Sequence, residues 1–251
     1  MKNPLDRFSI QSEAYKKYRP VYPAALYNEI LSLVNQREKC WDCATGNGQV
    51  AEVLSTEFQQ VEASDISEKQ LERAPKISNV NYSIQRAERT SFPDSQFDLI
   101  TVAQAIHWFD FEAFNQEIKR LAKPGGIVAI WGYALLKVQP GIDEIITDFD
   151  ANIVGPYWDV ERRHIDAEYD TIPFCFNPIE AGKQFAIEAV WNTNHLEGYF
   201  NSWSCVQNYK QNNNGENPVP DLMIRLKEYW SEGESKKVTF PVFLKMGRIE
   251  K

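Results

Sequence analysis

Short apolar runs alternate with helix-like patterns from about residue 22 to residue 131 of the 251-residue chain. The apolar runs are typical of buried strands, and apolar residues three or four apart between them predict helices that bury one face. This alternation predicts right-handed crossovers and a mostly parallel sheet. The predicted strands are 40–43, 61–64, 80–84, 97–103 and 127–131. One helix, 23–34, is predicted before the first strand, and the helices predicted between later strands are 49–58, 68–74 and 111–121.

The pattern changes after residue 133. Residues 134–183 combine a helical stretch at 142–154 with an aromatic segment interrupted by prolines. The sheet pattern resumes at 184–191, and 238–246 is predicted to be the closing strand. The whole pattern predicts an α/β, Rossmann-like fold with a mostly parallel seven-stranded sheet, helices on both faces and an insertion after the fifth strand.

The composition narrows the possible partners. The formal net charge is −8, and the acidic residues are spread along the chain without a basic stripe to offset them, which disfavours nucleic acid as a partner. No run approaches the roughly 20 apolar residues of a membrane span, and the first residues lack the apolar core of a secretory signal. We expect a soluble, cytoplasmic protein with no membrane partner, either a monomer or a homodimer.

The four cysteines do not predict a metal site. Cys40 and Cys43 form a single close pair, and Cys175 and Cys205 stand alone. Small buried residues on a strand explain the close pair better than half of a zinc site does. Reduced thiols are also typical of the cytosol.

The segment from Asp42 to Gly48 leaves the first predicted strand and enters a helix. Its glycines, Gly46 and Gly48, allow the backbone to approach a ligand closely, and the helix amino end is expected to offer unpaired amides. Asp65 ends the second predicted strand, where a carboxylate can accept both hydroxyls of a ribose. Together these features predict a nucleoside site at the carboxyl ends of the strands.

Two nucleoside cofactors compete for this loop, because its spacing also fits the G-x-G-x-x-A pattern of NAD-binding proteins. A pyrophosphate at the loop would be opposed by Asp42, by about 4 kcal/mol at about 4 Å and an effective dielectric near 20. S-adenosylmethionine instead presents a cationic ammonium and a cationic sulfonium. The sign of the charge therefore favours S-adenosylmethionine, while a strand-end carboxylate with no ligand is the structural alternative.

The set of motifs resembles the class I S-adenosylmethionine-dependent methyltransferases over about residues 8–133. The motifs are Asp42-x-x-Thr45-Gly46-x-Gly48, Asp65, Ala87-Glu88, Phe92-Pro93-Asp94, Phe97-Asp98-Leu99-Ile100 and Leu121-x-Lys123-Pro124-Gly125-Gly126. Two further segments are similar to the trans-aconitate methyltransferase-like branch, namely Tyr18-Arg19-Pro20-x-Tyr22-Pro23 and Ala103-Gln104-Ala105-Ile106-His107-Trp108-Phe109.

The resemblance implies a role for each matched position. The residues implied to bind the cofactor are Asp42, Ala44, Gly46 and Gly48 at the methionine end, Asp65 at the ribose, Ile66, Ala87 and Glu88 at the adenine, Gln104 near the sulfonium, and Tyr18 and Arg19 as a cover. The family commonly has glycine where this chain has Ala44, so we expect a slightly tighter loop, with Asn47 able to adopt left-handed backbone angles. The implied organisation is a cover and cofactor core at 1–133, a substrate lid at 134–183 and the rest of the core at 184–251.

The implied reaction is an in-line methyl transfer to a small molecule, such as a carboxylic acid or a hydroxyl compound, with S-adenosylhomocysteine as the other product. Orientation and exclusion of water supply most of the rate. His107 is the candidate base if the acceptor needs one, whereas His164 and His195 are expected at the surface. The candidate acceptor-binding residues are His107, Trp108, Trp131, Tyr133, Tyr157 and Trp158.

Several alternatives stay open at this stage. Arg162 and Arg163 suit an acidic acceptor, although a solvated helix face explains them better. The other functions considered are a cofactor-binding protein without turnover, a nucleic-acid or protein methyltransferase, and a dinucleotide oxidoreductase.

Overall fold

The computed structural model describes Tyr18 and residues 20–250. The predicted α/β, Rossmann-like fold is confirmed, with eight strands in the described part of the chain where seven were predicted. The strands are β1 (Lys39–Cys43), β2 (Gln60–Asp65), β3 (Val80–Ile84), β4 (Phe97–Ala103), β5 (Ala122–Tyr133), β6 (Asn177–Ile179), β7 (Phe185–Asn192) and β8 (Ser235–Arg248). The additional strand is β6, which is too short for its alternation to be visible in the sequence.

The strand order is β3-β2-β1-β4-β5-β8-β6, and β7 also pairs with β8. Strands β1 to β5 are parallel, whereas β8 runs antiparallel to β5, β6 and β7. The chain moves outward from β1 through β2 to β3 and then returns to place β4 on the other side of β1. This reversal of direction opens a crevice at the carboxyl ends of β1 and β4.

Helices cover both faces of the sheet. The helices are α1 (Ala24–Ser32), α2 (Gln49–Leu54), α3 (Glu68–Leu71), α4 (Phe111–Leu121), α5 (Pro140–Asp148), α6 (Arg163–Asp166), α7 (Thr193–Asn201), α8 (Ser204–Asn212) and α9 (Val219–Leu226). Side chains alternate between the two faces along each strand. Cys40 and Leu99 therefore belong to one buried cluster, and Trp41 and Ile100 belong to the other.

Two helices end earlier than predicted for local reasons. Helix α2 ends at Leu54, because the hydroxyls of Ser55 and Thr56 donate back to carbonyls three residues earlier and compete with the helical pattern. Helix α3 ends at Leu71, a few residues before Pro75. Strands β5 and β8 extend beyond their predicted ends at both sides.

The segment 134–183 folds mainly as short helical pieces. Helix α5 continues directly into a π-helical turn at Phe149–Ile153, which is followed by 3₁₀ turns at Gly155–Tyr157 and Val160–Arg162. The 3₁₀ turn Val160–Arg162 packs against the 3₁₀ turn Ile106–Trp108 that follows β4. This contact brings the segment to the edge of the sheet where the crevice opens. In the described range no helix combines the length and the apolar character needed to cross a bilayer.

Candidate functional site

The loop between β1 and α2 turns through three left-handed residues, with φ of +54° at Ala44, +58° at Gly46 and +84° at Gly48. Asn47, which can adopt left-handed angles, does not do so here, whereas Ala44 does. A non-glycine residue in this region costs about 1–2 kcal/mol. The loop backbone is therefore strained next to the crevice. Such strain persists only where the surrounding structure holds the residue in place, and it is common at functional sites.

The loop amides are already bonded within the protein. Thr45 N donates to Ser64 O, and Gly48 N donates to Thr45 O. Gly46 N donates to Asp65 Oδ2 at 2.9 Å. Two of these loop amides are therefore paired with β2, and the third is paired within the turn.

The two glycines of the loop have different surroundings. A Cβ placed on Gly46 would meet nothing within 4 Å, so this residue faces open space. A Cβ on Gly48 would lie 2.7 Å from the Tyr82 hydroxyl and 3.2 Å from Ala74 Cβ. Gly46 thus forms part of the crevice wall, whereas Gly48 lets α2 approach β3 and α3.

Asp42 is buried beneath the loop. One of its carboxylate oxygens accepts the Thr101 hydroxyl at 2.9 Å, and the other accepts the Thr45 hydroxyl. Burial raises the pKa of Asp42 to about 6, although both hydroxyls stabilise the charged form. Asp42 does not reach the crevice surface, so its charge acts there only through space.

Asp65 ends β2 and does reach the crevice. Its Oδ2 accepts from Gly46 N and its Oδ1 accepts from Ser67 N, both at 2.9 Å. Burial raises the pKa of Asp65, while the backbone amides oppose that shift. The Ser67 side chain forms no cap on α3. Because each carboxylate oxygen can accept two hydrogen bonds, Asp65 keeps acceptor capacity for a ligand.

The crevice has about 950 Å³ of empty space, part of it open to solvent. Its lining residues are Ala44, Gly46, Asp65, Ile66, Gln70, Gln85, Arg86, Ala87, Glu88, Ala103, Gln104, Ala105, Trp108 and Phe109. The structure thus brings together the cofactor residues that were predicted on four separate segments. Asp42, Gly48 and Tyr18 do not line this crevice, and Arg19 lies outside the described residues.

Six of the lining residues were not predicted. Gln85 and Arg86 directly follow β3, and Ala103, Ala105 and Phe109 lie at or after the end of β4. The rule that ligands bind at the carboxyl ends of parallel strands would have found these five. Gln70 lies within α3 and carries no comparable signal.

The charge and hydrogen bonding of the crevice fit S-adenosylmethionine better than a dinucleotide. Among the described residues, two carboxylates line it, Asp65 and Glu88, and one cation, Arg86, which is exposed and paired with Glu88 at 3.3 Å. An anionic pyrophosphate would be repelled by these two carboxylates. Gln70 Oε1 is a buried acceptor with no hydrogen-bond partner in the described part of the chain, which suits an amino or hydroxyl donor of a nucleoside.

Comparisons with known proteins agree with this geometry. Residues 41–130 match the family model described as a methyltransferase domain. A Dictyostelium discoideum protein assigned as a methyltransferase is 33% identical over 253 residues, covering 98% of this chain and 95% of that protein. A structure from Anaeromyxobacter dehalogenans, assigned as a type II methyltransferase, superposes with a TM-score of 0.86 at 31% identity, covering 93% of this chain and all of the other. A Saccharomyces cerevisiae protein assigned as an S-adenosylmethionine-dependent methyltransferase is 23% identical over 88% of both chains.

The chain belongs to the class I S-adenosylmethionine-dependent methyltransferases. This identity replaces the dinucleotide oxidoreductase that the same glycine spacing allowed. It also makes S-adenosylmethionine the cofactor of this chain.

Gln104 closes one end of the methyltransferase crevice with a left-handed backbone, at φ +54°. Its side-chain Oε1 accepts from Tyr133 N at 2.9 Å, and its Nε2 lies 3.5 Å from Tyr133 O. The amide group is thus bonded to the end of β5. Gln104 fixes the position of the crevice wall, and these two bonds leave one N–H and one oxygen lone pair of its amide for a ligand.

The predicted acceptor-binding aromatics are not brought together. Only Trp108 lines the crevice, with 37% of its surface exposed. Trp131 is completely buried and Tyr133 nearly so, because Tyr22 packs on both rings at centroid distances of 5.6 and 6.2 Å. Tyr157 packs on Tyr209, and Trp158 packs on Trp203. These four residues therefore stabilise the fold around the site.

His107 turns away from the crevice of the methyltransferase. It is buried, and its Nδ1 lies 3.3 Å from the Tyr169 hydroxyl. Burial, reinforced by the charge of Arg162 and by His164, lowers the pKa of His107 to about 3. A group this weakly basic is a poor general base at neutral pH.

The other two histidines also have defined surroundings. His164, expected at the surface, is buried with its Nδ1 2.6 Å from the Thr171 hydroxyl. His195 is partly buried and stacks on Trp191 at 4.3 Å, with Tyr18 against its edge. The Tyr18 ring packs on Gly198 of α7, where a Cβ would come within 2.4 Å of it.

Cys40 and Cys43 are buried on β1, as predicted from their spacing on a strand. Burial raises the pKa of both thiols well above the ordinary value, so both are neutral. Neutral buried thiols are neither nucleophiles nor metal ligands.

We expect His107 to stay neutral down to pH 5 in the folded protein. The pKa of His107 in the folded protein lies below the value of about 6.5 in the unfolded chain. The folded state therefore favours the neutral imidazole, and this contribution to stability is lost as the pH falls below 6.5. Carbon-13 NMR of the imidazole Cε1 measures its protonation directly, with N-acetylhistidine as the reference. A titration midpoint near pH 6.5 for His107 would contradict this environment.

Proposed function

We propose that this methyltransferase transfers the methyl group of S-adenosylmethionine to a small molecule, a carboxylic acid or a hydroxyl compound, held near Trp108. The observation that carries the proposal is the acidic, partly apolar crevice at the reversal of strand order. A net charge of −8 further supports a small molecule over nucleic acid as the acceptor. Membership of the trans-aconitate methyltransferase-like branch, suggested by the segments at 18–23 and 103–109, is part of the same proposal.

Within this proposal Asp65 accepts the ribose hydroxyls, with Ile66 and Ala87 packing along the adenine. Glu88 and Gln70 supply acceptors at the edge of the base. Ala44 and Gly46 bring the backbone close to the methionine end, where Asp42 contributes negative charge from beneath the loop. Gln104 positions the wall beside the sulfonium, and Tyr18, with Arg19, belongs to the cover.

Bound in this crevice, the cofactor would supply an electrophilic methyl group on a positively charged sulfur. The chain's own task is to align the acceptor with that group and to exclude water. An ionised carboxylate acceptor needs no base, and a hydroxyl acceptor would release its proton to solvent at the open mouth of the crevice. His107 is too weakly basic to hold that proton.

The proposed lid is the segment 134–183. Its 3₁₀ turn Val160–Arg162 rests on the turn Ile106–Trp108, so movement of the segment would open or close the side of the crevice next to Trp108. Residues 1–133 and 184–251 then form the cofactor core and its completion.

The test is calorimetric titration of S-adenosylhomocysteine into the wild-type protein and the Asp65→Ala variant. Loss of a carboxylate that bonds ribose hydroxyls is expected to weaken binding at least about tenfold, since hydrogen bonds to a charged group contribute roughly 1.5–3 kcal/mol. Asp221→Ala, at an exposed position in the first turn of α9, is the matched control and should bind like wild type.

Unchanged affinity in Asp65→Ala would refute the ribose assignment. A panel of acids and hydroxyl compounds with methyl-labelled cofactor then tests turnover. Cofactor binding without labelled product across that panel would favour a binding protein without turnover.

A further inference from the structure

The side chain of Arg162 has a different environment from a solvated surface arginine. Its guanidinium lies over the Trp158 ring, 4.3 Å from the ring centroid, and its Nε donates to Asp166 at 3.0 Å. Only 18% of the side chain is exposed. The expectation of a solvated helix face was therefore wrong for Arg162, although it holds for Arg163, which is exposed.

The aromatic support beneath this guanidinium is itself fixed. Trp158 Nε1 donates to Asp150 at 2.9 Å, and its ring packs on Trp203 at 5.3 Å. A stacked guanidinium on a fixed ring loses little rotamer entropy when it binds a ligand. The arginine is thus held in one position before any ligand arrives.

The hydrogen-bond donors of Arg162 are only partly used. Its two terminal amino groups, Nη1 and Nη2, donate to no group in the described part of the chain. Arg120 shows the contrast, because its Nε and both of its Nη groups donate to Glu117, Thr90, Asp94 and the Phe92 carbonyl. Arg120 therefore holds a loop in place, whereas Nη1 and Nη2 of Arg162 remain available to donate to a ligand.

Arg162 does not line the crevice, but it lies on the turn of the proposed lid that packs beside it. Its 3₁₀ turn packs against Ile106–Trp108, and Trp108 lines the crevice. His107, in that same turn, is neutral and neither competes with Arg162 as a cation nor neutralises it. Arg162 makes no direct ion pair with Asp150 among the described residues, although its charge opposes the rise in the pKa of Asp150 that burial causes.

We infer that Arg162 anchors the methyl acceptor through a carboxylate on that molecule, an assignment that rests on the proposed function. A guanidinium fork matches the two oxygens of a carboxylate. The acidic neighbours Asp150 and Asp166 disfavour a dianionic phosphate, so the ligand class is a monovalent carboxylate.

The carboxylate is the anchor and not the methylated atom. A carboxylate bound by a guanidinium is a weakened nucleophile, because the two hydrogen bonds and the positive charge stabilise its negative charge. The atom that attacks is therefore a second group of the acceptor, such as a hydroxyl. Its lone pair forms the new bond to the methyl carbon, the C–S electron pair stays on sulfur, and the hydroxyl proton goes to water.

The test uses the full chain saturated with S-adenosylhomocysteine and three probes: benzoate, its neutral analogue benzamide, and phenyl phosphate. Saturation-transfer NMR titrations should show benzoate binding at least tenfold more tightly than the other two. Arg162→Gln should abolish this preference, and Arg163→Gln, the exposed neighbour, should retain it. If Arg162→Gln does not fold, Arg162→Lys keeps the charge without the fork and should lose most of the preference.

The outcomes distinguish failure of the proposed function from failure of the anchor. A wild-type protein that fails to bind S-adenosylhomocysteine contradicts the proposed function. A protein that binds it but shows no preference for benzoate, or keeps that preference in Arg162→Gln, overturns the anchor alone. Tighter binding of phenyl phosphate than of benzoate overturns the assignment of the carboxylate class.

Discussion

Replacing Asp42 by asparagine is expected to stabilise the unliganded protein while weakening its cofactor binding. Burial raises the pKa of this carboxyl from 3.8 to about 6. The fold therefore favours the protonated form, and its contribution to stability is full below pH 3.8 and lost as the pH rises to about 6. Above that pH the buried charge costs about 3 kcal/mol, which the neutral asparagine avoids.

The same charge favours a ligand that carries an ammonium and a sulfonium. Removal of this charge is expected to weaken S-adenosylmethionine binding at least about tenfold at pH 7.5, a loss of about 1.4 kcal/mol of binding free energy. The effect is of this size because the medium between Asp42 and the ligand screens the charge only in part. In wild type the affinity should fall below pH 6 as Asp42 becomes protonated, whereas in Asp42→Asn it should be nearly independent of pH in that range.

Urea denaturation between pH 5 and 8 and calorimetry with S-adenosylmethionine measure the two effects. Asp98→Asn is the matched control, because Asp98 is also buried but is paired with Lys123 at 2.8 Å at the opposite end of β4. That variant should lose stability and keep its cofactor affinity. A less stable Asp42→Asn protein with unchanged cofactor affinity would refute the electrostatic role of Asp42.

The cofactor side of the site could be predicted because its signals are local. Asp65 and Gly46 lie at strand ends and in a glycine turn that short segments of sequence define. The strained position at Ala44 could not be predicted, because it depends on how the loop bonds to Ser64 and Asp65 of the neighbouring strand. A sequence motif does not report contacts between residues on different strands.

The acceptor side was less predictable because aromatic residues do not reveal their surroundings. Trp131 was expected in the site, yet Tyr22 and Tyr27 pack against it and close it off. Arg162 was expected in solvent, yet Trp158 and the distant Trp203 provide its platform. In the helical segments after β5 no simple periodicity reports which side faces the core.

Gly48→Ala is expected to cause the largest combined loss of stability and binding. The residue has φ of +84°, where any side chain is strained by about 1–2 kcal/mol. The new Cβ would also lie 2.7 Å from the Tyr82 hydroxyl and 3.2 Å from Ala74 and Pro75, so the elements around the loop must move apart. Overpacking of this kind costs roughly 1–3 kcal/mol more.

The Tyr82 hydroxyl makes the prediction specific. It is buried without a hydrogen-bond partner in the described part of the chain, so Tyr82→Phe should be nearly neutral alone. In the double variant the closest clash is removed, and we expect it to recover about half of the stability lost in Gly48→Ala. Chemical denaturation of the four proteins gives this coupling free energy.

Gly46→Ala separates strain from packing. Its φ of +58° imposes a similar backbone penalty, but no atom lies within 4 Å of the new Cβ. We expect a loss of about 1–2 kcal/mol in the free energy of unfolding that Tyr82→Phe does not recover.

For Gly48→Ala, S-adenosylhomocysteine binding should weaken at least tenfold, because the loop that forms the crevice wall is displaced. Equal stability losses in the two alanine variants, both insensitive to Tyr82→Phe, would show that close packing at Gly48 does not set the shape of this loop.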